Sequence, residues 1–176
     1  MEKLEWFNQQ YLMRLAPDDL AMRVKPSFEA AGLWDDAFLA DCHAWFFAVL
    51  ELFRPRAKRL GDFAVQGRFF FTDQIEYDAA AVDKHLRAAG MDEHLDALGA
   101  AFAHLETFDA ASIEAALRAL ANARGVKAAT LIHAVRVAVT GKTVSPGLFE
   151  VLALLGRDRV GTRMAEARRL VSTLAS

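Results

Sequence analysis

Apolar residues recur at helical spacing along almost the whole of this chain. Nowhere do four to eight β-branched or aromatic residues alternate with the two-residue period of a strand. This pattern excludes sheet architectures and leaves packed helices. Alanine supplies much of the apolar share, and it loses no side-chain entropy in a helix. Leu4, Phe7, Tyr11 and Leu12 predict an N-terminal helix. Pro17 suits the first turn of a second, with Asp18 and Asp19 favourable to its dipole. That helix runs toward Ala31 and stops at Gly32, and Pro26 predicts a break or kink inside it.

Asp35 or Asp36 is expected to cap a third helix running through Phe38, Cys42, Trp45, Phe46, Val49 and Leu52, its aromatic stripe read as core. Pro55 disfavours helical geometry at Arg54, so Arg54-Pro55-Arg56 is a turn holding two arginines by backbone constraint. Gly61 to Thr72 reads as short and broken. Helices are then predicted over 79–88, 92–105, 110–124, 128–139, 147–155 and 159–174, with Asp109 as an N-cap. Gly125, Gly141 and Gly156 stand where helix ends favour a left-handed residue. The expected fold is all-α, two consecutive small helical bundles covering residues 1–72 and 73–176.

Charge is distributed unevenly over the 176 residues. Residues 54–68 hold five basic and one acidic side chain, and residues 116–176 hold ten and three. The zones 1–53 and 69–115 are acidic, which leaves a net charge of −2. Two basic zones on an acidic body fit local contact with a polyanion. Solvated helix faces of alternating sign fit equally well.

Several function classes drop out. The single cysteine, Cys42, reads as a small apolar residue on a helix, and the five histidines show no metal-ligand spacing, so no metal site is expected. The longest apolar run, Ala44 to Leu50, is short for a membrane span, and Glu2, Lys3 and Glu5 do not suit a signal peptide. A cytoplasmic protein is expected. Thr140-Gly141-Lys142-Thr143 resembles the tail of a phosphate-binding loop, but Arg136 stands where the motif needs glycine and a helix precedes it. No Ser–His pairing suggests a nucleophile with its base. The carboxylate pairs Asp35–Asp36 and Asp92–Glu93 suit helix starts better than acid–base catalysis.

Ser145-Pro146-Gly147-Leu148-Phe149 admits two readings. Ser145 can cap a helix with Pro146 in its first position, leaving helix-start amides facing outward beside the apolar surface of Leu148 and Phe149. Unstacked RNA bases are read by such combinations. The other reading is a plain helix start with Leu148 and Phe149 in the core.

The stretch VAVTGKTVSPGLFEVLALLGRDRV, residues 137–160, resembles the signature near the C-terminus of bacterial glutamyl-tRNA synthetases. KLEWFNQQYL at residues 3–12, LELFRPRAKRL at 50–60 and RFFFTD at 68–73 resemble the preceding part of their anticodon-binding region, in order and spacing. The resemblance implies two helical subdomains that grip the anticodon loop of glutamate tRNA. It matches Arg56 to the arginine that reads the third anticodon base. Arg136 and Ser145, Pro146, Gly147, Leu148 and Phe149 match contacts to the other anticodon bases. Arg54 is expected beside Arg56 as a phosphate contact.

Family members that reject glutamine tRNA carry arginine at the position of Arg56. The family's His-x-Gly-His-type motif and Lys-rich loop are not in this sequence. The resemblance therefore implies a tRNA-binding module without catalytic activity or cofactor of its own. ATP and magnesium belong to the catalytic part of the parent enzyme. A monomer that binds neither membrane nor DNA is expected. Two alternatives are a free-standing synthetase-derived paralogue acting as a tRNA- or protein-binding regulator, and a helical protein–protein module that has lost RNA binding.

Overall fold

The computed structural model describes residues 2–174. The two expected subdomain ranges also include Met1, Ala175 and Ser176, which lie outside the described residues, as does the side chain of Leu4. Among the described residues there are ten α-helices and no strand. No described helix is long and apolar enough to cross a membrane. The chain divides into two compact units between Thr72 and Asp73.

The first unit contains α1 (Glu2–Arg14), α2 (Pro17–Ala30), a 3-10 turn (Asp36–Leu39), α3 (His43–Phe53) and α4 (Leu60–Phe71). Pro17 occupies the start of α2, with Asp18 and Asp19 in its first turn. The helix runs on through Pro26 without the expected break. Leu20, Val24 and Phe28 recur every four residues on its buried face, whereas Pro26 is exposed. The carbonyl that Pro26 leaves without an N–H partner therefore lies on the solvent-facing side of the helix. Gly32, at φ +66°, ends the helix, and Leu33 N–H donates to Phe28 O at 2.8 Å.

The expected third helix is divided. Asp35 does cap, accepting from Ala37 N–H at 2.9 Å, but it starts only the 3-10 turn. The α-helix begins again at His43 after Cys42. Cys42 is consequently exposed at the N-cap rather than a small apolar residue within a helix.

The larger correction is α4, a twelve-residue helix where a short, broken segment was expected. Asp62 accepts from the backbone N–H of Lys58 at 2.8 Å and of Arg59 at 3.0 Å, which secures its first turn. Gly67 is buried against Phe53, and a Cβ there would lie 3.3 Å from the ring's Cε2. Its glycine admits that ring. The core of this unit is strongly aromatic: Phe28 lies edge-on to Phe46 at 5.6 Å and to Phe71 at 4.9 Å, and Phe38 stacks on Phe46 at 4.9 Å. Such pairs contribute about 0.5–1.5 kcal/mol each beyond area burial.

The second unit contains α5 (Ala79–His85), α6 (Met91–Ala103), α7 (Ala110–Ala123), α8 (Ala128–Thr140), α9 (Leu148–Leu155) and α10 (Arg157–Leu174). Asp78 and Asp109 cap α5 and α7 with their side chains. Around α8 pack α5, α6, α7, α9 and α10. Its residues Leu131, Ala134, Val135, Val137, Ala138 and Val139 are fully buried. A helix apolar on nearly every side is the one its neighbours surround.

Gly125 and Gly141 follow α7 and α8 at φ +64° and +73°, as helix-end residues should, whereas Gly156 after α9 pairs φ +82° with ψ 158° and departs from the left-handed helical conformation. α10 starts two residues earlier than expected, at Arg157. The Arg157 guanidinium donates to the carbonyls of Ala103 and Leu105 at the end of α6.

Candidate nucleic-acid interface

In the first unit the Arg54-Pro55-Arg56 turn is fixed from several directions. Arg56 and Ala57 N–H both donate to Phe53 O, at 2.8 and 3.0 Å, and Gln9 of α1 donates its side-chain N–H to Pro55 O at 2.8 Å. Arg54 is only 6% exposed. One nitrogen of its guanidinium donates to Leu12 O at 3.1 Å and Leu15 O at 2.7 Å, and the other pairs with Glu51 at 2.5 Å.

These are carbonyls at the open end of α1, where a helix lacks internal donors and carries negative partial charge. Arg54 is thus a helix clamp, and the expected phosphate contact gives way to it: a guanidinium already sharing its donors with buried carbonyls is withdrawn from the surface. Arg56 is exposed, and no described carboxylate or carbonyl takes its side-chain N–H groups.

Lys58 and Arg59 continue this basic turn and were not singled out by the sequence. Both reach Glu5 on α1, Lys58 at 3.0 Å and Arg59 at 3.3 Å. The hydrogen bond and charge of Lys58 hold the Glu5 carboxyl below its ordinary range, with Arg59 adding to the effect. A groove of about 230 Å³ between Asn8, Tyr11, Lys58 and Arg59 borders the turn. Trp6, Phe7 and Tyr11 are half exposed on α1, with the Arg23 guanidinium 5.6 Å from the Tyr11 ring centre. The Trp6 and Phe7 rings meet edge-on at 5.1 Å.

In the second unit the structure brings together Arg136, Ser145 and Pro146. The Arg136 guanidinium donates to Ser145 Oγ and, at 2.8 Å, to Pro146 O, while Ser145 Oγ–H donates to Pro146 O at 2.9 Å. The α8–α9 connection is braced further back as well. Thr140 Oγ–H donates to Arg136 O at 2.7 Å, and Asp78 N–H donates to Gly141 O at 2.9 Å. Gly141 lies so close to the preceding segment that a Cβ would sit 2.0 Å from Glu76 O.

The expected cap is shifted by two residues. Gly147, not Ser145, is the N-cap of α9, and Pro146 precedes the helix as a buried residue. Ser145 is drawn off by Arg136. Leu148 is buried, 3% exposed, and belongs to the core; Phe149 is half-buried. Gly147 has φ −50°, open to any residue, but a Cβ there would lie 2.2 Å from Glu150 Oε2. Its glycine makes room for that carboxylate. The large apolar side chain that does face solvent here is Val144, at 72% exposure, and no sequence signal had marked it.

Comparison with known proteins gives this arrangement a family. A family model described as the anticodon binding domain matches residues 19–168. Glutamate–tRNA ligase 2 of Koribacter versatilis (strain Ellin345) is 37% identical over 96% of this chain and 34% of its own length. The glutamate–tRNA ligase of Moorella thermoacetica is 34% identical over 97% of this chain and 35% of its own. The chain therefore spans about a third of the length of these relatives.

Among solved structures, a glutamate tRNA ligase from Elizabethkingia meningosepticum, in complex with its amino acid, shares the fold. Its TM-score is 0.84 at 22% identity, over 97% of this chain and 32% of that one. The glutamate–tRNA synthetase of Elizabethkingia anophelis superposes with a TM-score of 0.78 over 96% of this chain and 31% of that chain. This chain belongs to the anticodon binding domain family, and the relatives it matches are glutamate–tRNA ligases.

Proposed function

We propose that this chain is a tRNA-binding module that reads the anticodon loop of glutamate tRNA, as the non-catalytic part of a glutamyl-tRNA synthetase. The observation that carries the reading is the family match over residues 19–168, with relatives that are glutamate–tRNA ligases. The geometry supports it at two points. Arg56 presents an exposed guanidinium on a backbone-pinned turn. Arg136 and the Ser145–Phe149 segment form a braced loop in the second unit.

The chemistry at Arg56 is a matter of donors. A guanidinium offers two N–H groups to O2 and N3 of cytosine, the third anticodon base of glutamate tRNA. Guanine, which stands there in glutamine tRNA, presents N1–H and N2–H donors where cytosine has N3 and O2, so a guanidinium placed for cytosine meets donors at those two positions. Arg136 holds the second reading loop in shape through Ser145 and Pro146. In this reading the module acts as a cytoplasmic monomer and holds no cofactor of its own.

Filter binding with glutamate tRNA tests the proposal. Binding through the basic zones releases counterions, so affinity should fall steeply between about 50 and 200 mM salt. Salt-independent binding, or equal affinity for unrelated tRNAs, would overturn it.

A further inference from the structure

Beside the braced loop runs a groove that the family resemblance leaves unassigned. It lies between the segment Glu76–Tyr77–Asp78 and the loop Lys142–Thr143–Val144. We infer that this groove seats one unpaired nucleotide of the same RNA loop, adjoining the bases held near Arg136 and Ser145. The inference rests on the tRNA-binding reading and adds a binding site to it. The groove measures about 380 Å³, within the range of small-ligand clefts, roughly 300–1,000 Å³.

Its two walls have different chemistry. Val144 turns an aliphatic surface to solvent, and two residues earlier Lys142 is exposed, with no carboxylate paired to its ammonium among the described residues. An apolar surface next to a cation suits a nucleotide, which lays a base face on one and a phosphate oxygen on the other. On the opposite wall the Asp78 carboxylate is already committed to the N–H groups of Ala80 and Ala81 as the cap of α5. The Tyr77 hydroxyl donates to Ala138 O at 3.0 Å, and burial pushes its pKa up to about 12, so it stays neutral. Glu76, exposed, is left as an acceptor for an amino or imino donor of the base.

The groove is also built rigidly. The Gly141 α-carbon rests against the Glu76 carbonyl, Asp78 N–H donates to Gly141 O, and Lys142 N–H donates to Thr140 Oγ at 3.2 Å. A cleft fixed by backbone contacts has little ordering cost left to meet on binding. Val144 directly precedes Ser145, whose hydroxyl Arg136 holds, so an RNA strand can pass from one place to the other without a gap.

The test uses the whole chain and an RNA hairpin carrying the glutamate anticodon loop. Nucleotides outside the triplet are replaced one at a time by abasic residues. Val144→Ser should weaken the unmodified hairpin about fivefold, on the scale of roughly one methyl-sized apolar contact withdrawn from water. Lys142→Ala should shallow the salt dependence by about one unit. One abasic position adjoining the triplet should cost the wild type severalfold and cost Val144→Ser nothing further. Both side chains are exposed, so folding is not at stake.

Additive losses at every position, or variants that bind as the wild type does, would overturn the groove as a nucleotide site, even with anticodon preference intact. A wild type that binds the hairpin no better than one with a scrambled anticodon removes the functional reading and the groove together.

Discussion

Arg54 and Arg56 stand two residues apart across a proline, and the fold puts them to opposite uses. Arg54 turns inward to the open end of α1, and Arg56 turns outward. Arg56→Gln should weaken glutamate tRNA by ~1–3 kcal/mol, the scale of a bidentate base contact. It should also narrow the gap between glutamate and glutamine tRNAs, because an amide presents either a donor or an acceptor. The readout is the ratio of the two dissociation constants at one salt concentration, and an unchanged ratio in a folded variant would show that Arg56 does not read that base.

Arg54→Met should leave that ratio alone and lower thermal stability. It removes charge-assisted hydrogen bonds worth ~1.5–3 kcal/mol each and strands carbonyls that are otherwise paired. The sequence placed a turn at Pro55. Arg54 nonetheless keeps helical geometry at φ −48° and ψ −45°, against the expectation that Pro55 would disfavour it, and the chain turns after it. The sequence could not separate the two arginines, because the clamp joins Arg54 to residues about forty positions earlier, and no local pattern carries such a contact.

Elements show the same division between local and distant causes. Asp78 and Asp109 cap, and Gly125, Gly141 and Gly156 follow helices, because the determinants lie within a turn of each other. The sequence hides α4 because Gly67 and three phenylalanines in a row look like a break until Phe53 is placed against the glycine. Ser145 suits a cap by its local sequence and does not cap, because Arg136, nine residues back on another helix, takes its hydroxyl.

Two positive-φ glycines make the distinction measurable. Gly125 has open space around it, so Gly125→Asn, a residue that tolerates the left-handed region, should change the melting temperature little. Gly141→Asn places a Cβ against the Glu76 carbonyl and should cost at least ~2 kcal/mol, with RNA binding falling as the loop shifts. Equal effects at the two sites would refute the close approach.

A second element, the contact of α5 with α8, should respond to pH. The His85 and His133 rings stack at 5.0 Å. Burial, then His133 and Lys84, lowers the His85 pKa below its ordinary 6.5. The unfolded chain thus binds the proton more readily, and stability should be full above pH 6.5 and decline as pH falls through the folded-state value. Chemical denaturation across this range should show the decline, and His85→Gln should flatten it.

At the scale of the whole molecule the uneven charge pattern and the family match point the same way, toward contact with a polyanion. The feature nearest to a phosphate-cradling loop, Thr140-Gly141-Lys142-Thr143, is spoken for. The Gly141 backbone N–H donates to Val137 O, the Lys142 backbone N–H to Thr140 Oγ, and the Thr140 hydroxyl to Arg136 O. Amides and hydroxyls directed into the chain cannot converge on a triphosphate.

The relatives are about three times as long as the segment matched here, and activation of glutamate is expected to reside in what they have beyond it. Mixed with ATP, glutamate, Mg²⁺ and tRNA, this chain should therefore support no pyrophosphate exchange and charge no tRNA, while still retaining the tRNA on a filter. The preparation must be free of host synthetase, which an antibody or an affinity tag on the host enzyme can remove. Charging above background under those conditions would mean that an adenylate-forming site exists within residues 1–176, and the division between a reading part and a reacting part would have to be abandoned.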